Sequence, residues 1–472
     1  MLEKCDYREA RDLMISHVAP VGIEKVPLSS CAGRVLAREA AAQEDIPPFD
    51  RSPYDGYAFR AEDVKTASAE SPVTLKIVDY IAAGDVPHRP VTAGTAAHLM
   101  TGAPIPEGAD AVLPFERTRF TDEEVTIDTA VKPGSNVIYA GEDVKRGTVL
   151  CGPGALIDAG LAGTLAGQGI FAPCVYKKPL VGVISTGSEI LEEDEAPVPG
   201  RIYNSNRYSL QAACELAGCE TVYIGTARDD EAIIAELIDQ ALKTCDAVIL
   251  SGGVSLGDFD CTPAAMEKAG VRILVHGLAL KPGMAGAYGI YTGDSRKSTG
   301  YGQAEGFGQA EESGQTGHSV QADKIGQADR IGQADRIGQA DNPGQADNSG
   351  PASDAGGIPV FGLSGNPAAC MTAFYAVVLP VLRRQMGFAL EKCLPPQIRV
   401  CLKKEYSRKN QSSRLLRGRV DPAAVVQEMK ITGGQGNQVL SSLAGSNAFA
   451  EIPAGMAVKA EEPVDAFLID QL

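Results

Sequence analysis

The middle of the chain alternates apolar runs with amphipathic stretches. LVGVIST is followed by SNRYSLQAACELAG, then CETVYIGTA, DDEAIIAELIDQALKTC and DAVILS. Short apolar runs that stop at Gly or polar residues read as buried strands, whereas Ile233, Ile234, Leu237, Ile238, Ala241 and Leu242 recur at helical spacing along one face. Strand, helix, strand, helix at this spacing predicts an α/β domain, a doubly wound parallel sheet with helices on both faces.

Other patterns flank this series. Asp6 with Glu9 makes a capping-box-like start for a helix carrying Leu13, Met14 and Val18, which Pro20 stops, and a second short helix is expected over 29–39. The stretch IPPFDRSPYDGYAFRAEDV is too rich in Pro and Gly for a regular element, and runs such as VTLKIVDYIAA and EVTIDTAV between 73 and 139 alternate as strands. A small-residue helix is expected over 159–167. After 357, IPVFGLSGNPAACMTAFYAVVLPVLRRQ reads as strand, turn and long helix, and from 395 short strands return. The domains predicted are a helical linker (1–45 with 142–175), a small β domain (46–141), the α/β domain (176–387) and a C-terminal β domain (388–472). Residues 293–357 break the pattern: Gln recurs every sixth position from Gln303 to Gln345, and only Ile325, Ile331 and Ile337 offer aliphatic side chains to the repeats. Such a segment cannot offset its ordering entropy and is expected to be a disordered insert.

Composition narrows the function. Of 472 residues, acids outnumber bases to a formal net charge of −17, which disfavours nucleic acid and anionic membranes as partners. An anionic substrate then needs local cations or a metal. The 11 cysteines form no CxxC pair, the N-terminus has no apolar leader, and no apolar run could span a bilayer, which together predict a cytoplasmic protein.

Candidate chemistry gathers at strand ends, where open α/β sheets bind ligands. Thr186-Gly187-Ser188 and Gly252-Gly253 let backbone approach a bound anion; Glu189, Asp229 and the pair Asp258 and Asp260 bring acids to three such ends. A flexible Gly turn with solvated acids would read the same from one loop, and Asp229 could be a helix N-cap. Gly365 and Asn366 would add amides or form a plain turn. Asp50, Arg51 and Asp55 mark a second candidate loop, for which a polar linker is the alternative, and Asp143 a turn that could be structural.

Taken together, PFDRSPYDGYAFR, LMTGAPIPEGADAVLPFE, AGEDVKRG, STGSEI, YNSNRYSL, SGGVSLGDFD, LKPGMAGAYG and GLSGNPAA occur in the order found in the molybdopterin molybdenumtransferase family, the MoeA proteins and the gephyrin E domain. The resemblance spans nearly the whole chain apart from the insert. It implies an elongated homodimer of four-domain subunits with the active site at the subunit interface, inserting molybdenum from molybdate into adenylylated molybdopterin with release of AMP, late in molybdenum cofactor biosynthesis. By the same resemblance Asp55, Thr101, Asp143 and Lys281 are catalytic. Thr186, Gly187, Ser188, Ser251, Gly252, Gly253, Ser255, Gly365, Asn366 and Arg417 bind the pterin nucleotide or oxyanion, and Glu189, Asp229 and Asp260 hold Mg²⁺. Carboxylates suit Mg²⁺, and Lys281 and Arg417 suit a dianion. The pattern departs at Gly277, where relatives carry lysine, and at Asn437, where they carry serine. These departures leave open a weak paralogue that carries a pterin, or a scaffold.

Overall fold

The computed structural model describes residues 1–254, 260–293, 356–421 and 427–469. The expected disorder of the insert therefore falls almost wholly outside the described residues, as do Ser255 and Asp258.

Asp6 opens the first helix, its carboxylate accepting from the Arg8 amide at 2.8 Å. That helix, α1 (Tyr7–Ser16), buries Tyr7, Ala10 and Met14. It does not belong to the linker. The preceding β1 (Leu2–Cys5) pairs in parallel with residues 272–278, and α1 shares its apolar core with Val181 and Phe361 of the α/β domain. An amphipathic helix settles where an apolar face is free to receive it, which sequence position does not reveal. No helix forms over 29–39. Leu28–Ser30 makes a single 3₁₀ turn, Gly33 takes φ +75°, and Val35 and Leu36 bridge to Leu156 and Val175. The left-handed backbone at Gly33 ends any helix there, and cross-chain pairing takes over. Among the described residues the linker's α-helix is α2 (Ala159–Gly167), capped by Asp158, accompanied by two short antiparallel ribbons.

Six strands lie between 46 and 141: β2 (Gly56–Phe59), β3 (Val73–Ile81), β4 (Thr95–Leu99), β5 (Ala111–Pro114), β6 (Arg119–Phe120) and β7 (Glu124–Ile127). They form one sheet in the order β5-β2-β4-β3-β7-β6. Alternate residues of β2 enter opposite cores, Tyr57 and Phe59 on one face and Ala58 on the other, so this strand is buried throughout.

The α/β domain supplies β8 (Leu180–Thr186), α3 (Ser205–Leu216), β9 (Glu220–Ala227), α4 (Glu231–Thr244), β10 (Ala247–Ser251), α5 (Thr262–Lys268), β11 (Arg272–Leu278), β12 (Leu280–Lys281), β13 (Gly286–Tyr291) and β14 (Ile358–Leu363). Except for β12, its strands join β1 in a seven-stranded sheet ordered β1-β11-β13-β14-β10-β8-β9. Helices cover both faces: α1 and α3 pack with Val181, Val183 and Ile249, and α4 and α5 with Ile184, Val248 and Leu250. The sheet is mixed rather than wholly parallel, since β13 runs antiparallel to both β11 and β14. On α4 the buried face includes Ala235 and leaves Ile233 at 44% exposure, a small rotation from the expected stripe. The long helix begins at Pro367 and widens into a π turn over Phe374–Val378 before continuing as Leu379–Gln385. Pro380 has no N–H to give the preceding turn, which accounts for the widening.

The C-terminal strands β15 (Gln397–Leu402), β16 (Ser413–Val420), β17 (Glu428–Ile431), β18 (Ala448–Ile452) and β19 (Pro463–Leu468) close on themselves through a β16–β18 pairing, with β12 added at β16. Among the described residues no helix is long and apolar enough to cross a membrane.

Tyr291 and Ile358 are register partners, so the ends of the insert are already held together by the β13–β14 ladder. Replacing residues 294–355 by a short Gly-Ser turn is expected to leave circular dichroism and melting temperature nearly unchanged. Loop closure changes by only about 0.6 kcal/mol per doubling of length. A fall in Tm of more than about 10 °C would show that the segment packs against the domain.

Candidate functional site

Three strands of the α/β domain end side by side, and their loops touch. Ser185, Thr186, Ser251 and Ser364 are all buried there. The Thr186 hydroxyl donates to the Ser251 carbonyl at 3.4 Å, and the Gly252 amide donates to the Leu363 carbonyl at 2.9 Å. Gly252 adopts φ +109°, and a Cβ on it would stand 2.3 Å from the Thr186 carbonyl oxygen; one on Gly365 would stand 3.5 Å from the Gly252 Cα. Gly252 is thus required both by backbone conformation and by closeness of approach. Gly253 follows at φ +62°, and the chain is pinned by Thr262, whose amide and hydroxyl donate to the carbonyls of Gly253 and Gly252 at 3.0 and 2.9 Å.

The acids come to this edge by separate routes. Asp230, not Asp229, caps α4, accepting from the Ala232 and Ile233 amides. Asp229 is left to accept from the Ser188 amide and hydroxyl at 3.2 and 3.0 Å, tying the second strand end to the first. The Glu189 carboxylate lies against Gly187, with Oε2 2.5 Å from where a Cβ would be. The Cys261 thiol reaches the Asp229 carbonyl at 3.9 Å, linking the third strand end, which carries Asp260. Burial raises the Cys261 pKa, and Asp229, Glu231, Asp230 and Asp260 push it the same way, which marks this edge as electronegative. Among the described residues no three His, Cys, Asp or Glu side chains stand close enough together to hold a metal ion. Glu189, Asp229 and Asp260 are therefore neighbours of one edge and not a ready-made cage.

A second group forms around residues 45–55. This strap is woven between two loops: the Arg51 and Ile138 backbones exchange hydrogen bonds, the Gly102 amide donates to Ser52, and the Asp143 amide donates to Ile46. The Asp50 carboxylate accepts from the Ala140 amide at 2.8 Å. Because Gly56 pairs with Leu99, Asp55 and Thr101 emerge together, and both the amide and the hydroxyl of Thr101 donate to Asp55 Oδ1 at 2.6 Å. Those two bonds, the hydroxyl's first, hold the Asp55 carboxyl below its ordinary range, and His98 adds to the effect. Asp143 stands exposed on the neighbouring turn. No hydrogen bond among the described residues joins Asp55, Thr101 or Asp143 to the α/β domain of the same chain.

The third group lies on the seam with the C-terminal barrel. Lys281 is exposed and sits opposite Arg414 in the β12–β16 pairing. Arg417, expected as a pocket cation, is fully buried: Nε donates to Ser442 Oγ at 2.7 Å, and Nη2 to the carbonyls of Gly434 and Gly436. Burial, then the charge of Arg414, lowers its pKa to about 10, so it stays charged at neutral pH. Arg414 donates to the Gln435 carbonyl of the same loop. Arg417 Nη1 and Arg414 Nε remain without partners. Arg414 escaped the sequence reading because nothing in a strand of the pattern SRLLRGRV tells which arginine turns toward the seam.

The loop these arginines hold carries Asn437. Its carbonyl accepts from the Ala368 and Ala369 amides at 3.1 and 3.3 Å, so the first turn of the long helix is already capped. Of the amides expected at Gly365 and Asn366, that of Asn366 donates to Ser364 Oγ at 3.3 Å. Any residue supplies a carbonyl, so asparagine in place of serine leaves this contact intact. At the other departure, Gly277 takes φ +79° and faces Lys4, whose Cγ lies 3.5 Å from a Cβ built at 277.

The chain matches the MoeA N-terminal region (domains I and II) over residues 5–169, a probable molybdopterin binding domain over 182–384, and the MoeA C-terminal region (domain IV) over 399–469. It is 30% identical to the molybdopterin molybdenumtransferase of Staphylococcus epidermidis, across 97% of this chain and 94% of that one. It is also 30% identical to the enzyme of the same name from Bacillus subtilis, covering 92% and 86%. The crystal structure of a molybdopterin biosynthesis MoeA protein from Pyrococcus horikoshii superposes with TM-score 0.72 at 27% identity, over 99% of this chain and 100% of that one.

The Asp55 pairing makes a direct prediction. An aspartate stabilised as the anion titrates below the usual carboxylate range, and the interaction is lost as pH falls through that lowered value. In Thr101→Val the Asp55 midpoint, followed by carboxyl NMR, is expected to rise toward the ordinary value. An unchanged midpoint would show that the Thr101 hydroxyl does not act on this carboxylate.

Proposed function

The chain belongs to the molybdopterin molybdenumtransferase (MoeA) family, whose transferase acts late in molybdenum cofactor biosynthesis, and we propose that it works on adenylylated molybdopterin, inserting molybdenum from molybdate and releasing AMP. The observation that carries the finer reading is the meeting of the Thr186, Ser251 and Ser364 loops at one edge, with acids on one side and the Lys281, Arg414 and Arg417 cations on the seam.

Each group has a chemical part. Close backbone approach at Gly252 and Gly253 seats a pyrophosphate without side-chain clash. Glu189, Asp229 and Asp260 offer only oxygen donors, and of Asp229 only Oδ2 is engaged by Ser188. That set fits Mg²⁺, which takes few carboxylates and keeps waters and substrate oxygens. When bound, it would neutralise charge on the phosphoryl oxygens as the bridge to AMP breaks. Lys281, with the unpaired N–H groups of Arg414 and Arg417 behind it, suits a tetrahedral dianion. Asp55, Thr101 and Asp143 form an acidic corner with no hydrogen bond, among the described residues, to their own α/β domain, which favours a homodimer in which a second copy's strap closes the site. Eleven cysteines, none paired in a disulfide, are in keeping with the cytoplasm.

AMP release from adenylylated molybdopterin in the presence of Mg²⁺ and molybdate tests the reading. Asp260→Asn and Glu189→Gln are each expected to slow it by about tenfold or more, the equivalent of about 1.4 kcal/mol. Unchanged rates with normal substrate binding would refute the metal assignment.

Gly277 gives a second test. Adding a cation beside the seam in Gly277→Lys should lower the molybdate concentration for half-maximal turnover by about tenfold. The left-handed backbone there makes a side chain cost about 1–2 kcal/mol, so a lower Tm should accompany the gain. An unaltered molybdate dependence would place the oxyanion elsewhere.

A further inference from the structure

Among the buried side-chain atoms of the described residues that lack a hydrogen-bond partner, one at the strand ends just described can only accept: Asn206 Oδ1. Gln385 Oε1, the other amide oxygen of this kind, belongs to a side chain whose nitrogen donates to Asp246 at the opposite edge of the sheet. Asn206 is 8% exposed and lies in the first turn of α3. It does not cap that helix, because the Asn204 side chain accepts from the Arg207 amide.

Its orientation is fixed by its partner. Asn206 Nδ2 donates to the Gly365 carbonyl at 2.9 Å. A carbonyl can only accept, so the amide nitrogen must face it and the free atom must be the oxygen. Gly365 is the residue that stands against Gly252, so the free oxygen is anchored to the loop bordering the anion seat. The donors beside it are already engaged, the Thr186 hydroxyl with the Ser251 carbonyl, the Ser188 hydroxyl with Asp229 and the Gly252 amide with the Leu363 carbonyl, so none of them serves this oxygen. A lone buried acceptor among them does nothing for a phosphate and is unfavourable while unpaired.

We propose that Asn206 Oδ1 receives a hydrogen bond from the exocyclic amino group of the substrate's heterocycle, a group that the pterin and the adenine both carry. The proposal rests on the functional reading above and adds a residue that selects the ring rather than the phosphates. Asn206 is thereby a binding and specificity residue, with no part in bond cleavage.

Isothermal titration of the full chain with ring pairs that differ in the amino group tests it: 6-hydroxymethylpterin against the corresponding lumazine, and AMP against IMP. The wild-type protein should bind the amino-bearing member of one pair about tenfold more tightly, and the pair that discriminates names the ring. Asn206→Leu should abolish that preference while leaving the affinity for inorganic pyrophosphate unchanged. Equal affinities within both pairs, or a preference that survives Asn206→Leu, would overturn the proposal and leave the atom to a water. If Asn206→Leu does not fold, the wild-type pairs alone decide. The functional reading fails separately, when wild type releases no AMP from adenylylated molybdopterin, whatever the ring pairs show.

Discussion

The site depends on one steric constraint, the closeness of Gly252 to the Thr186 carbonyl. A methyl group there would stand 2.3 Å from the oxygen, so two adjacent parallel strands can end in contact only because this position has no side chain. From that contact follow the Thr186 to Ser251 hydrogen bond, the seating of the Gly252 amide on Leu363, and the approach of Gly365. Three loops far apart in the chain become one surface. The helices behind them matter chiefly by fixing the strands in register through two apolar cores, one on each face of the sheet.

A second constraint ties this surface to the barrel. The long helix presents free amides at its first turn, and the Asn437 carbonyl satisfies two of them. The loop that delivers this carbonyl is held by the buried Arg417 and the partly buried Arg414, so two cations serve a backbone shape as well as a charge. One N–H group of each, Arg417 Nη1 and Arg414 Nε, is left without a partner. Burying a guanidinium that is only partly paired is unfavourable on its own, and is understandable where an anion completes the arrangement.

The strap around Asp55 is organised differently. Its rigidity comes from backbone exchanges with 102–105 and 138–144, and its acidity from the two Thr101 donors. Tyr57 stacks on His98 at 4.8 Å beside it, and burial lowers the His98 pKa while Asp55 opposes the change. The corner is preorganised whether or not the α/β domain is near.

Much of this was legible in the sequence because it is local. The helices at 7–16, 159–167, 205–216 and 231–244 follow from period and caps, and the central strands from apolar runs that stop at Gly. Gly252, Asp229 and the Asp55 loop could be singled out by residue type and by position at strand ends. What the sequence could not decide involves partners distant along the chain. The reversal of β13, the transfer of α1 to the α/β domain and the failure of a helix at 29–39 each turn on which segment was free to pair. The same holds at atomic scale. Only the packed structure determines that Asp230 rather than Asp229 caps α4, that Arg417 is interior while Lys281 is exposed, and that one oxygen of Asn206 is left without a donor. Hydrogen bonds are satisfied by whatever lies within about 3 Å in space, and the sequence records only what lies close along the chain.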